Sequence, residues 1–245
     1  PTSTATPEPT ATPLPTPSEM PVPTELPIVE ETAGGHIIVL DAGHQRKGNY
    51  EKEPNGPGSD TMKAKVSSGT QGVSTGLAEY ELTLQVALKL RDELTKRGYT
   101  VIMVRETHDV DISNVERAKI ANEAGADAFL RIHANGSDNQ NAKGVLTICQ
   151  TSKNPYNAEW YKESKRLSEL VLDEVASSTG AKKRSVWETD TMTGINWAMV
   201  PSTILEMGFM TNPEEDEQMA TEEYQDKIVR GTADAIDLFF SEDEQ

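Results

Sequence analysis

The sequence predicts an α/β fold. It should form a single domain with a mostly parallel, twisted sheet of about five or six strands and helices on both faces, preceded by a disordered Pro/Thr-rich linker. Three observations lead there. Short apolar runs such as Ile37-Ile38-Val39-Leu40 recur along the chain and end in polar residues. Amphipathic helical patterns separate most of these runs, and alternation of strand and helix almost throughout favours a parallel sheet covered on both sides. Finally, Pro1 to Pro27 is built from Pro, Thr, Ser, Ala and Glu with almost no large apolar side chains, so it cannot bury enough surface to offset the entropy of ordering.

The organisation expected is therefore a linker or stalk over residues 1–35 and a folded domain over 36–241, with Gly34-Gly35 at the junction. Pro/Thr tracts are semi-rigid and commonly act as extracellular spacers. No run approaches the ~20 apolar residues of a membrane span. A chain that opens inside a Pro/Thr tract leaves room for an export signal, a membrane anchor or a wall anchor ahead of it.

In chain order, strands are expected at His36–Leu40, Tyr99–Val104, Asp127–His133, Lys143–Gln150 and Thr203–Glu206. Helices are expected at Glu79–Arg97, with Leu82, Val86, Leu90 and Leu94 on one stripe, and at Ser113–Ala124, where Ser113 and Glu116 form a capping-box pattern. Two more follow at 158–179 and 222–240, the last with Tyr224, Ile228, Ala235 and Leu238 inward, and a short one starts at Asn212-Pro213. Residues 45–78 and 181–200 read as loops, the first long enough to be functional or mobile. Trp187, Met192 and Trp197 in the second either wall a site or pack inside. Glu214 to Glu217 reads as a solvated helix start. Cys149, in an apolar run, reads as an inert buried thiol.

A net charge of −17 argues against nucleic-acid binding, because phosphate contacts need clustered Lys and Arg. Lys182-Lys183-Arg184 is the one basic triplet and reads as a solvated loop. Four polar residues sit where a parallel sheet would gather them at one edge. His44 follows the first strand, His133 and Glu206 end the third and fifth, and Glu79 opens the first helix. Two His and two Glu suit a catalytic zinc site of three ligands, an open water position and a base. Singly each is weak. A histidine after a strand is more often structural, and Glu79 is as well explained by the helix dipole, with Glu81 competing for any ligand role. Asp41 either orients the His44 ring or stabilises the turn. Arg117 reads as a structural ion-pair partner, and His36 and His108 as surface residues.

These residues also carry a resemblance. Leu40-Asp41-Ala42-Gly43-His44, the helix start Glu79-Tyr80-Glu81-Leu82-Thr83-Leu84, Arg117 with Ala121-Asn122 and Ala126-Asp127, the stretch Ile132-His133-Ala134-Asn135, and Ile204-Leu205-Glu206-Met207-Gly208-Phe209-Met210-Thr211-Asn212 occur in the order found in the zinc-dependent N-acetylmuramoyl-L-alanine amidases of the bacterial cell wall. The chain resembles that family over residues 36–240. The resemblance implies one Zn2+ per chain held by His44, Glu79 and His133, with Glu206 as the catalytic carboxylate, and it selects Glu79 over Glu81. It implies hydrolysis of the amide between N-acetylmuramic acid and L-alanine in peptidoglycan, by a secreted, extracellular, cell-surface or wall-bound autolysin.

Asn135 and Arg131 are the candidate substrate contacts. Ala42 and Gln45 depart from the family's usual proline and glycine. Residues 45–78 are longer than usual, which admits regulation of access by a protein activator. Two other readings stand beside the amidase: a zinc peptidase acting within the stem peptide, and a non-catalytic or occluded amidase-like binding or regulatory module. The acidity of the chain is at odds with an anionic wall substrate unless the charge near the site differs.

Overall fold

The computed structural model describes residues 35–241. Apart from Gly35, the expected linker lies outside the described residues. A six-stranded sheet forms the centre. It contains β1 (Ile37–Ala42), β4 (Thr100–Met103), β5 (Ala128–Asn135), β6 (Val145–Cys149), β7 (Lys183–Glu188) and β8 (Ser202–Phe209). Their spatial order is β4-β1-β5-β8-β6-β7. The first four run parallel, whereas β6 pairs antiparallel with β8 and parallel with β7.

The apolar run of β1 has no alternation because both faces of the sheet are covered. Ile38 and Leu40 enter a core shared with α1 (Glu79–Lys96), α3 (Tyr161–Thr179) and α6 (Glu222–Ser241). Val39 points the other way, with Phe129, toward a smaller core built on α2 (Asn114–Glu123) and on Ala198 and Val200, which follow the short α4 (Thr193–Asn196). The α1 stripe is buried as its periodicity predicts, and Gly98 with φ +94° ends it. The capping box also forms: Ser113 Oγ accepts from Glu116 N at 3.2 Å and Glu116 Oε2 from Ser113 N at 2.7 Å. Cys149 is buried, and burial pushes its thiol pKa up to about 11.

Several expectations are corrected. Residues 45–78 contain an antiparallel ribbon, β2 (Asn49–Pro54) and β3 (Met62–Val66). Residues 181–200 contain β7 and α4. β2 and β7 are mostly polar, and β3 alternates Met62, Ala64 and Val66 with two lysines, because a ribbon and an edge strand lack a second buried face and so carry no continuous apolar run. Lys183 and Arg184 thus lie on an exposed edge strand and not in a loop.

In α6, Leu238 faces solvent while Phe239 and Phe240 turn inward. In α5 (Pro213–Met219), Glu215 and Asp216 are buried and not solvated. Glu215 accepts from Phe209 N and Gly144 N, both at 2.7 Å. Asp216 accepts from Ser74 N and Thr75 N at 2.7 and 2.8 Å, which pins the loop before α1. His36 stacks on Phe240, and His108 is half-buried against Tyr80.

Candidate active site

Parallel pairing delivers the polar residues to one edge. His133 on β5 sits opposite Glu206 on β8 in register, and the turn after β1 sets His44 beside them. His44 has φ +61°, the left-handed region that disfavours a side chain with a Cβ. Two buried guanidinium groups hold this turn. Arg105 donates to Ala42 O at 2.8 Å and Gly43 O at 3.0 Å. Arg117 donates to Ala42 O and His44 O, both at 3.1 Å, and to Gln45 Oε1 at 3.0 Å. Gln45, where the family usually has glycine, is itself buried and accepts from Ile112 N at 3.0 Å.

Asp41 does not reach His44. Its carboxylate is taken by Arg117 at 2.6 Å and Arg131 at 2.8 Å, and it is fully buried. Burial alone would raise its pKa, but the two guanidinium groups outweigh that and hold it well below the ordinary range. The ring of His44 is oriented by Ser67 instead: Nδ1 lies 3.0 Å from the Ser67 carbonyl and 3.1 Å from Ser67 Oγ. With Nδ1 turned to Ser67, Nε2 faces Glu79 and His133.

Three ligand-type atoms then converge. His44 Nε2 lies 3.1 Å from Glu79 Oε1 and 3.1 Å from His133 Nδ1, and His133 Nδ1 lies 3.2 Å from Glu79 Oε1. Tetrahedral zinc with ligands at about 2.0–2.1 Å separates neighbouring ligand atoms by roughly 3.3–3.4 Å, so this spacing fits a metal. His44, Glu79 and His133 are thus a group able to hold an ion. Glu79 is fixed further by Ala134 N on Oε1 at 3.0 Å and Thr70 N on Oε2 at 2.8 Å. Burial would raise its pKa, yet the adjoining His133 and His44 rings outweigh that and hold the carboxylate below the ordinary range. Burial lowers the His133 pKa to about 4, leaving the ring neutral and ligand-ready at neutral pH.

Glu81 stays outside the cluster and turns back toward Ala78 N at 3.4 Å. Close packing limits the neighbours. A Cβ on Gly43 would meet the His133 ring at 2.4–2.6 Å, and one on Gly69 would meet Glu79 Oε2 at 2.7 Å and His44 Cδ2 at 2.9 Å.

Glu206 lines the same cavity, about 640 Å3 in volume, and its Oε2 is enclosed with no hydrogen bond among the described residues. Burial first, then the neighbouring Glu79 charge, raises its pKa well above that of an ordinary glutamate. Asn135 lines the cavity as well. Trp187 does not: it is exposed on the edge strand, while Trp197 packs inside and donates to Pro54 O at 2.9 Å. Thr191, Met192, Thr193 and Gly194 form the wall in their place. Of the wall, Met192 was expected, whereas Ser67, Thr70, Thr191, Thr193 and Gly194 were not, because no local signal marks a residue whose role depends on a distant element.

A covered, largely parallel sheet that gathers His, Glu and His beside an enclosed carboxylate defines a class of metal-dependent hydrolases. Residues 38–237 match the N-acetylmuramoyl-L-alanine amidase family model, and the chain belongs to that family. It is 30% identical over 168 residues to the amidase LytC of Bacillus subtilis, covering 69% of this chain and 32% of LytC, so it spans about a third of that relative. The solved amidase Ami1 of Mycobacterium smegmatis is 26% identical with a TM-score of 0.76, the match covering 85% of this chain and 98% of Ami1. CwlD of Clostridioides difficile, solved in complex with the GerS lipoprotein, shares the fold at 23% identity and a TM-score of 0.68, over 84% of this chain and 99% of CwlD. The expected fold, family and activity class, a hydrolase of the peptidoglycan amide bond, therefore hold. No described helix is long and apolar enough to cross a membrane.

Proposed function

We propose that residues 36–241 form a zinc-dependent catalytic domain that cleaves the amide between N-acetylmuramic acid and L-alanine, with residues 1–35 as its tether. His44, Glu79 and His133 hold the ion and Glu206 is the general base. The observation that carries this reading is the mutual approach of the three ligand atoms to 3.1–3.2 Å beside an enclosed carboxylate. Zinc, when bound, supplies a Lewis acid and a water acidic enough to attack at neutral pH.

The chain's own groups do the rest. Ser67 orients the His44 ring, and Ala134 N and Thr70 N fix the Glu79 carboxylate. Glu206 Oε2 takes a proton from the attacking water and returns it to the departing amine nitrogen. Its raised pKa makes the carboxylate a stronger base than an ordinary glutamate, which favours uptake of that proton. Asn135, at the cavity wall, contacts the stem peptide.

A substrate of this kind puts the protein outside the membrane, as a secreted or surface-tethered autolysin. A protein activator joins the partners of this reading, supported by the lipoprotein complex of the fold neighbour CwlD. The test is mass spectrometry of products from purified peptidoglycan, first after chelation and then with zinc restored. Zinc-dependent release of intact stem peptides with a free L-Ala amino terminus is expected. Shortened stem peptides would replace this reading with a peptidase.

A further inference from the structure

The charge of the cavity runs against the charge of the chain. The protein carries 23 basic and 40 acidic residues, yet the cavity is lined by Lys52, Lys63 and Arg131 against two carboxylates, Glu79 and Glu206. Glu79 is already held by two histidines and two backbone N–H groups. The cations are therefore in excess where substrate must lie.

Arg131 is the built part of this wall. Its side chain is 5% exposed. It shares a sheet face with His133, two residues along β5. Nε donates to Asp41 Oδ2 at 2.8 Å and Nη2 to Asn114 Oδ1 at 2.7 Å. Both bonds aim the guanidinium and neither uses Nη1. Nη1 rests against Gly194, where a Cβ would come within 2.1 Å, so glycine at 194 is what lets the group lie there. The ribbon supplies the rest of the wall. Lys63 donates to Thr191 O at 2.5 Å and so ties β3 to the opposite wall. Asn55 fastens the ribbon's turn by donating to Asp190 O at 3.3 Å and accepting from Thr193 Oγ1 at 3.2 Å. Lys52 is exposed at the rim and makes no hydrogen bond or ion pair among the described residues.

We propose that Arg131, with Lys52 and Lys63 of the ribbon, forms a carboxylate-binding subsite that selects stem peptides carrying a free carboxylate over their carboxamide counterparts. The inference rests on the amidase reading and adds a substrate preference to it. A guanidinium whose other nitrogens are already anchored loses little freedom on binding a planar anion, and the enclosed setting strengthens the charge-assisted bond. A carboxamide offers a weaker acceptor and places an N–H donor against three cations.

The test compares kcat/KM for two soluble muropeptides that differ only in a carboxylate or a carboxamide at the second stem residue. The zinc-loaded protein should favour the carboxylate by about tenfold to a hundredfold, the scale of one charge-assisted hydrogen bond. Arg131→Gln should bring the ratio toward unity, and Lys52→Gln with Lys63→Gln should lower it in part, with a smaller ratio at high salt. Equal cleavage of both substrates by the unaltered protein overturns the subsite while leaving the amidase reading intact. Equal loss on both substrates in Arg131→Gln shows a merely structural arginine and also overturns it. If Arg131→Gln does not fold, the ribbon double variant decides: an unchanged ratio refutes the subsite. Cleavage of neither substrate by the unaltered protein removes the amidase reading and this inference with it.

Discussion

Replacing Arg117 with Met should cost stability and loosen the metal group together. Arg117 is fully buried and makes five hydrogen bonds: to Ile112 O, Asp41 Oδ1, Ala42 O, His44 O and Gln45 Oε1. Methionine keeps much of the volume, so the loss is polar and not a cavity. Asp41 retains Arg131, which halves its compensation without abolishing it. Breaking a buried ion pair typically costs about 3–5 kcal/mol, and each buried carbonyl stranded without a donor about 1–3 kcal/mol. Water entry and the remaining Arg131 contact offset part of that sum, so about 3–5 kcal/mol is expected, a large share of an ordinary domain's ~5–15 kcal/mol. Urea unfolding of the metal-free protein reads it as a fall in midpoint at unchanged slope. His44 would also lose the donor to its carbonyl while held at φ +61°, so zinc affinity, measured by competition with a chromogenic chelator, should fall about tenfold or more, as for the loss of an outer-shell partner. A stability change under about 1 kcal/mol would refute the claim that this guanidinium braces the histidine turn.

Further predictions concern the same site. His133→Ala should lose both zinc and turnover, and Glu206→Gln should keep zinc, by elemental analysis, while losing most turnover; comparable activity in Glu206→Gln would remove the general-base assignment. Gly69→Ala places a Cβ 2.7 Å from Glu79 Oε2 at a backbone φ of +81°, so zinc affinity should drop while the far-UV spectrum is kept. The metal-free protein should weaken as pH falls from about 6.5 to about 4. The folded His133 pKa of about 4 lies below the ordinary histidine value of 6.5, so the unfolded chain binds more protons in that window; a flat urea midpoint across it would contradict the buried neutral ring. Asp41, with its folded pKa depressed, contributes stability that is complete above its unfolded value near ~4 and is lost as pH falls below it, a later acid phase that Asp41→Asn should remove.

Residue order alone carries a good part of this protein. The unbroken apolar runs of β1 and β5, the Leu stripe of α1 and the Ser113–Glu116 capping box depend on neighbours within a few positions, so periodicity reveals them. The ordered motifs around His44, Glu79, His133 and Glu206 likewise carry the family. Other features depend on contacts between distant residues. The strands β2, β3 and β7 are held by pairing in a two-stranded ribbon or on a sheet edge, and carry no continuous apolar run to mark them. Asp41, which could orient a histidine as readily as brace a turn, is claimed by arginines 76 and 90 residues away, and Ser67 on the ribbon takes the histidine instead. The tertiary structure also decided the local charge. Lys52, Lys63 and Arg131 come from separate elements of an acidic chain, and only the closure of the ribbon over the sheet edge brings them to one cavity.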